Sequence, residues 1–265
     1  MGKHLYNRKD NLQSVKNVLN ILRSFTIDEP EKGVRELSES LGMSKSVVQR
    51  YMATLASEGF LEQDPFTRKY RLGIPFMILS TIVTSHFDAF KEFHPTYKAL
   101  ADKLGETVRC STLEGTEVVQ VYAFRCKHRC RSFNKIGKLN PAYCTSAGKV
   151  LLAYSDNEEL IERVIQKGLK RFTKNTKTDP AEFREDLQMV REQGHSICIE
   201  EFGVGGISIA APIRDHSGKF NFAIEVTSTT KRLNSMEIQT FVNEIKKASM
   251  EVSKLCQEYQ YQRRW

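Results

Sequence analysis

Five polar residues crowd one short stretch of the chain: Ser44, Lys45, Ser46, Gln49 and Arg50. Interleaved with them, Val47, Val48, Tyr51, Met52 and Leu55 recur at helical spacing, so apolar residues take one face of a helix and the polar set takes the other. Those polar types suit nucleic acid. Arg and Lys pair with guanine edges or phosphates, and Gln bonds adenine through two contacts. A helix start bearing Ser44 and Ser46 suits a phosphate. Further on, Arg68, Lys69 and Arg71 could hold a nucleic-acid backbone or reach a minor groove. The competing reading is an ordinary surface helix with a solvated charged face.

A second candidate is Thr145-Ser146-Ala147-Gly148-Lys149. Small residues open a helix there, and the first four N–H groups of a helix have no intrahelical partner. The helix dipole adds about half a positive charge at that end, so a ligand carboxylate could bind the backbone without an Arg clamp. The plainer alternative is a normally capped helix. Two other clusters resemble chemistry less well. Cys126-Lys127-His128-Arg129-Cys130 supplies half a zinc site, with no matching pair downstream, so no metal is expected and a basic loop with a thiol pair, open to a redox role, is the reading. Cys144 as nucleophile, His195 as base and Glu201 as orienter would make a thiol enzyme, yet nothing in the sequence brings the three together. G-x-S-x-G, P-loop and G-x-G-x-x-G motifs are missing, and Gly-rich Phe202–Gly206 precedes a strand rather than a helix, which reads as a turn. No catalytic residue and no cofactor is therefore expected.

The elements that must position these residues follow from the rest of the chain. Its 265 residues carry a formal charge of +8, are 40% hydrophobic and contain six scattered cysteines. This composition excludes a disordered polyelectrolyte and a disulfide miniprotein. The longest mostly apolar run, Ile74 to Val83, is too short for a bilayer, which needs about 20 apolar residues. Met1–Asp10 has no apolar stretch resembling a secretory signal, and the scattered cysteines suit free thiols, so a reducing cytoplasmic location is expected. Charge is spread out, with +3 on residues 1–73 and +5 on 74–265, so a DNA argument rests on motif and geometry rather than on a basic tail.

Leu12, Val15, Val18, Leu19, Leu22 and Phe25 predict a first helix, and Val34, Leu37 and Leu41 a second. Gly42-Met43 breaks the second, and Ser44 caps a third that ends at Gly59. Strands at 60–63 and 69–72 flank a turn at 64–68. Helices, turn, helix and hairpin in this order form a winged helix-turn-helix plan. A helical stretch over 74–104 is expected to bend or break near Pro95. Beyond it, strands at 107–113, 117–124, 196–199, 207–214 and 220–227 mix with helices at 145–154, 157–167, 180–193 and 235–259. The fold class is α+β, with an antiparallel sheet in the second domain. The expected division is residues 1–73 for the winged helix-turn-helix, 74–90 for a helical connector and 91–265 for the second domain.

Residues 12–73 resemble the N-terminal domain of the IclR family of bacterial transcriptional regulators, through Val34-Arg35-Glu36-Leu37-Ser38-Glu39-Ser40-Leu41-Gly42-Met43-Ser44-Lys45-Ser46 and Tyr70-Arg71-Leu72-Gly73. The resemblance continues through Gly105-Glu106-Thr107, Thr145–Ala153, Glu200-Glu201 and Ile209-Ala210-Ala211-Pro212. It implies a GAF-like effector-binding domain, a homodimer or homotetramer, and a ligand cup at Thr145, Ser146, Ala147 and Gly148. Residue by residue the match is uneven. Cys198 stands where many members have Asp, Ser208 where many have Cys, and Glu225 and Thr227 where many have two Ser. Ser208 and Thr227 keep a hydroxyl for a ligand, and Glu200 and Glu201 match an acidic pair. Glu225 repels a ligand carboxylate unless one group is protonated or a cation intervenes, so either the ligand brings hydroxyls or an amine or the cup has diverged. The lead-in Gly137-Lys138-Leu139-Asn140-Pro141 resembles members that control sugar-acid catabolism.

The expectation is a sequence-specific transcription regulator reading a pseudo-palindromic operator in double-stranded DNA through Ser44, Lys45, Ser46, Gln49, Arg50, Arg68 and Lys69. A small organic or sugar acid would control it from the second domain, with no membrane partner. The alternatives are a DNA-binding oligomer without an effector and the thiol enzyme described above.

Overall fold

A computed structural model of the chain describes residues 12–85, 89–125, 137–215, 217–233 and 235–262. The chain divides into two compact units, residues 1–87 and 88–265. In the first, α1 (Gln13–Arg23), α2 (Val34–Leu41) and α3 (Lys45–Ser57) precede a hairpin of β1 (Leu61–Gln63) and β2 (Tyr70–Leu72), followed by α4 (Pro75–Ser85). Gly42 ends α2 at φ +64°, a left-handed conformation that an L side chain rarely adopts, and this turns the chain toward α3. The Ser44 hydroxyl then accepts the Val47 N–H at 3.4 Å and starts α3. Ile21, Leu37, Val48, Met52, Leu61 and Tyr70 form one small core joining the three helices to the hairpin. This is the winged helix-turn-helix that the spacing predicts.

In the second unit, α5 (Ala89–Leu104) leads into β3 (Thr107–Glu114) and β4 (Glu117–Phe124). Then come β5 (Leu139–Pro141), a short 3-10 turn at Ala142–Cys144, α6 (Ser146–Ala153), α7 (Glu158–Lys167) and α8 (Pro180–Gln193). The unit closes with β6 (Ser196–Ile199), β7 (Gly206–Ile213), β8 (Phe222–Thr229) and α9 (Ser235–Gln262). The strands make one antiparallel sheet in the order β5-β4-β3-β8-β7-β6. Alternation sorts its side chains. Val108, Cys110, Ile209, Ala211, Ile224 and Val226 pack with Tyr97 of α5 and Ile245 of α9. On the opposite face Ala210, Ala223 and Val118 pack with α6, α7 and α8. The GAF-like α+β expectation holds.

Two local features differ from the sequence reading. Of the bend or break expected near Pro95, the break does not occur, and helix α5 runs through the proline. Phe93, Tyr97, Leu100 and Ala101 are buried on either side of the proline, and their packing outweighs one lost backbone bond. The segment 139–144 forms a strand and a 3-10 turn that sequence spacing did not mark, since three-residue elements carry no period.

Candidate nucleic-acid interface and ligand cavity

On α3, Val48 and Met52 are fully buried, while Ser44, Lys45, Ser46, Gln49 and Arg50 are all exposed. The Ser44 and Ser46 hydroxyls lie 3.1 Å apart at the helix start, and the Gln49 amide donates to the Tyr70 hydroxyl at 3.4 Å. That last bond ties the exposed face of α3 to the hairpin. Arg68 and Lys69, at the hairpin turn, are exposed as well. Lys45, Arg50, Arg68 and Lys69 make no ion pair among the described residues. Three other cations of this unit are paired: Lys32 with Glu36 at 2.7 Å, Arg35 with Glu39 at 2.9 Å, and Arg71 with Glu62 at 2.8 Å. Arg71 thus has a carboxylate partner, whereas four cations on α3 and the hairpin turn stand without one.

In the second unit a cavity of about 270 Å³ opens against the sheet face that carries α6. Thr145, Cys198, Ser208, Glu225 and Thr227 of the predicted set line it, joined by Cys144, Glu201 and Phe202. Strand register explains their convergence. Cys198 pairs with Ser208, Ser208 with Thr227, and Thr227 with Thr107, so one row of small polar side chains crosses β6, β7, β8 and β3. One step along, Glu225 of β8 faces Arg109 of β3. The Glu225 carboxylate is 4% exposed, and the hydroxyls of Ser111 and Ser146 each lie 3.4 Å from it. Burial raises its pKa above the ordinary carboxylate value, against the opposing pull of Arg109 and the hydroxyls.

The remaining predicted residues sit differently. Ser146 reaches the cavity only through Glu225. Ala147 belongs to the apolar core. A Cβ on Gly148 would lie 2.2 Å from the Ala142 carbonyl oxygen, so this glycine allows α6 to approach the 3-10 turn. Glu200, at φ +54°, accepts from the Gly205 N–H at 2.9 Å and from the Thr230 hydroxyl, which holds the β6–β7 turn together. Thr145 makes no side-chain cap to α6, because its hydroxyl turns back to the Pro141 carbonyl at 3.1 Å.

Sequence reasoning missed the charged floor beside the cavity. Lys149, 1% exposed, makes ion pairs of 2.6 Å with both Glu201 and Asp186, and Asp186 pairs with Lys177 at 2.6 Å. Burial works against the Lys149 ammonium, but the negative groups beside it more than offset this and hold it above the ordinary lysine value. Only the placement of a lysine directly after Gly148 hinted at it.

The thiol-enzyme reading finds no geometry. Burial pushes Cys144 up to about 12, and its thiol donates to the Pro141 carbonyl. His195 bonds the Gln193 carbonyl through Nδ1, not the cysteine. Cys198, fully buried, is raised well above the ordinary thiol value. Among the described residues no group of three or more His, Cys, Asp or Glu could hold a metal ion. Cys126 and Cys130 lie outside the described residues.

Comparison with known proteins decides what this pairing of units is. Residues 14–65 match the IclR helix-turn-helix domain, and residues 81–254 match the bacterial transcriptional regulator IclR C-terminal domain. The chain belongs to the IclR family. Among its relatives is the HTH-type transcriptional regulator KdgR of Escherichia coli K-12, 29% identical over 92% of this chain and 92% of its own. A putative IclR regulator from Silicibacter sp. TM1040 superposes with a TM-score of 0.84 at 25% identity, covering 92% of this chain and 96% of that one. An IclR homolog from Microbacterium hydrocarbonoxydans, solved in complex with 4-hydroxybenzoate, shares the fold with a TM-score of 0.77 at 20% identity, covering 92% and 99%. This IclR-family chain is a DNA-binding transcriptional regulator, and its relatives are regulators rather than enzymes. No helix among its described residues is long and apolar enough to cross a membrane.

Proposed function

We propose that this regulator reads its operator through Ser44, Lys45, Ser46, Gln49, Arg50, Arg68 and Lys69 and responds to a small organic acid that also carries a hydrogen-bond donor. The observation that carries the first half is the α3 surface. Its apolar face is consumed by the core, while Lys45 and Arg50 stand exposed and unpaired on the other side. The N-terminal part of such a helix inserts in the major groove, where Arg50 and Gln49 face base edges and the two serines face phosphate.

The second half rests on the cavity. Its volume of about 270 Å³ suits a compact metabolite, near the small end of known ligand pockets at roughly 300–1,000 Å³. Thr145 lines the cavity at the start of α6, so a ligand carboxylate beside it meets the positive end of that helix's dipole. Glu225 accepts a hydrogen bond from a hydroxyl or amine at the other end of the ligand, with Ser208 and Thr227 beside it. A hydroxylated sugar acid has both ends, and so does the hydroxybenzoate held by the Microbacterium protein. Control of a sugar-acid catabolic operon in the bacterial cytoplasm agrees with this class.

Homodimers place two α3 helices on half-sites about one helical turn apart. Helix α4 exposes Met77, Ile78 and Ile82, α1 exposes Val15 and Leu19, and Leu12 is exposed just before it; a second copy of the chain covers these apolar faces. Pairing of dimers would give the homotetramer. The effector must bind two arrangements of the dimer with different affinity, since equal affinity shifts nothing.

Two assays test the proposal. Retardation of DNA from the gene's own neighbourhood should weaken roughly tenfold to a hundredfold on Arg50→Ala. A thermal-shift screen of hydroxylated acids should find one that raises stability by about 2.7 kcal/mol at 100 times its Kd, and that acid should change operator affinity. If no acid does either, the second unit only assembles oligomers.

A further inference from the structure

Phe66 is the most exposed large apolar side chain among the described residues, at 93%. It sits at the tip of the β1–β2 hairpin, on a turn with one well-determined shape. One oxygen of Asp64 accepts from the Phe66 N–H at 2.9 Å, the Thr67 N–H at 2.7 Å and the Thr67 hydroxyl at 3.1 Å. The Arg68 N–H donates to the Asp64 carbonyl at 3.0 Å, and the Gln63 amide holds the Arg68 carbonyl at 3.0 Å. Arg68 itself lies at φ +59°. A pre-shaped turn that presents a whole aromatic ring to water loses little chain entropy when the ring is covered.

The surroundings of the ring select its cover. Arg68 and Lys69 lie next to it, exposed and unpaired, so the occupant carries negative charge beside an apolar surface. Duplex DNA has both, as phosphates flank the sugar walls and base edges of each groove. The hairpin is also fixed to the reading helix, through the Gln49–Tyr70 bond and through the core that Leu61 and Tyr70 share with Val48 and Met52. With α3 in a major groove, the hairpin tip meets the duplex to one side of it.

We propose that Phe66 is a minor-groove wedge, pressed against the sugar walls beside the half-site and favouring a deformable base step there. The inference rests on α3 facing DNA. Apolar wedges of this kind partly unstack a step and bend the duplex, and pyrimidine–purine steps yield most easily. The hairpin would thus add sequence preference at a position that no polar side chain reads.

The test uses the full-length protein and duplexes selected by it from a random-sequence library. Affinity, salt dependence and flanking-step preference are measured for wild type, Phe66→Ala, Phe66→Leu, Arg68→Ala and Arg50→Ala. Phe66→Ala should weaken binding about tenfold, leave the salt slope unchanged and erase the preference for a pyrimidine–purine step, while Phe66→Leu keeps most of it. Arg68→Ala should instead lower the salt slope by about 1. Unchanged affinity and flank preference in Phe66→Ala, with Arg50→Ala impaired, overturns the wedge and leaves the α3 reading standing. Unchanged binding in Arg50→Ala overturns the α3 reading itself. A change of oligomeric state in Phe66→Ala, with DNA affinity intact, gives the ring to a second copy of the chain and also overturns the wedge.

Discussion

The two units treat charge in opposite ways. On α3 and the hairpin tip, cations stand in water without partners. Around the cavity, Lys149, Glu201, Asp186 and Glu225 are buried or nearly so, and each is met by an opposite charge or by hydroxyls. An exposed charge keeps its hydration and can be transferred to a phosphate at little cost. A buried charge survives only where the fold supplies its partner. The first arrangement suits a polyanion that brings its own counter-charge, and the second suits a small ligand that must fit charges already in place.

The sharpest way to break that contrast is in the buried network. Lys149→Met should leave Glu201 buried without its cation, with Asp186 keeping only Lys177, and destabilise the second unit by about 3–5 kcal/mol, read from denaturant unfolding. A loss below about 1 kcal/mol would place those charges in the surface regime instead. Next in size, Arg50→Ala should cost about 1–3 kcal/mol of operator binding without moving the unfolding midpoint. Ser44→Ala should cost about 1 kcal/mol of stability in the first unit through the lost α3 cap.

The smallest effect concerns pH. Glu225 has a raised pKa in the folded state, so the folded protein holds a proton that the unfolded chain has released. Its contribution to stability therefore falls as pH rises from the ordinary carboxyl value, 4.5, through the raised one. Wild type should lose ground relative to Glu225→Gln across that window in paired melts. Parallel curves would show that Arg109 neutralises Glu225 fully.

The same contrast explains what the sequence made legible. The α3 face could be read because one period, carried by Val47, Val48, Tyr51, Met52 and Leu55, states which residues are inside, and Gly42 states where the turn falls. The cavity residues came from resemblance to a family, and their meeting depends on strand register. Cys198, Ser208 and Thr227 share a row only once β6, β7 and β8 are paired. The Lys149 network was not legible, since its partners lie far along the chain on the β6–β7 turn and α8, and no pattern marks a lysine as buried. The contact that Gly148 makes was not legible for a related reason. Its small size serves the backbone of Ala142, a contact made only when the 3-10 turn folds against α6. Pro95 does not break α5 because local propensity yields to packing on both sides of it.

The central claim is that unpaired charge on α3 meets DNA while paired charge does not. Its most direct measurement is operator affinity for Arg50→Ala and Arg71→Ala side by side across a salt series. The account predicts that Arg50→Ala binds roughly tenfold to a hundredfold more weakly, while Arg71→Ala, already joined to Glu62, binds as wild type. Equal losses in the two variants, or a loss in Arg71→Ala alone, would contradict it.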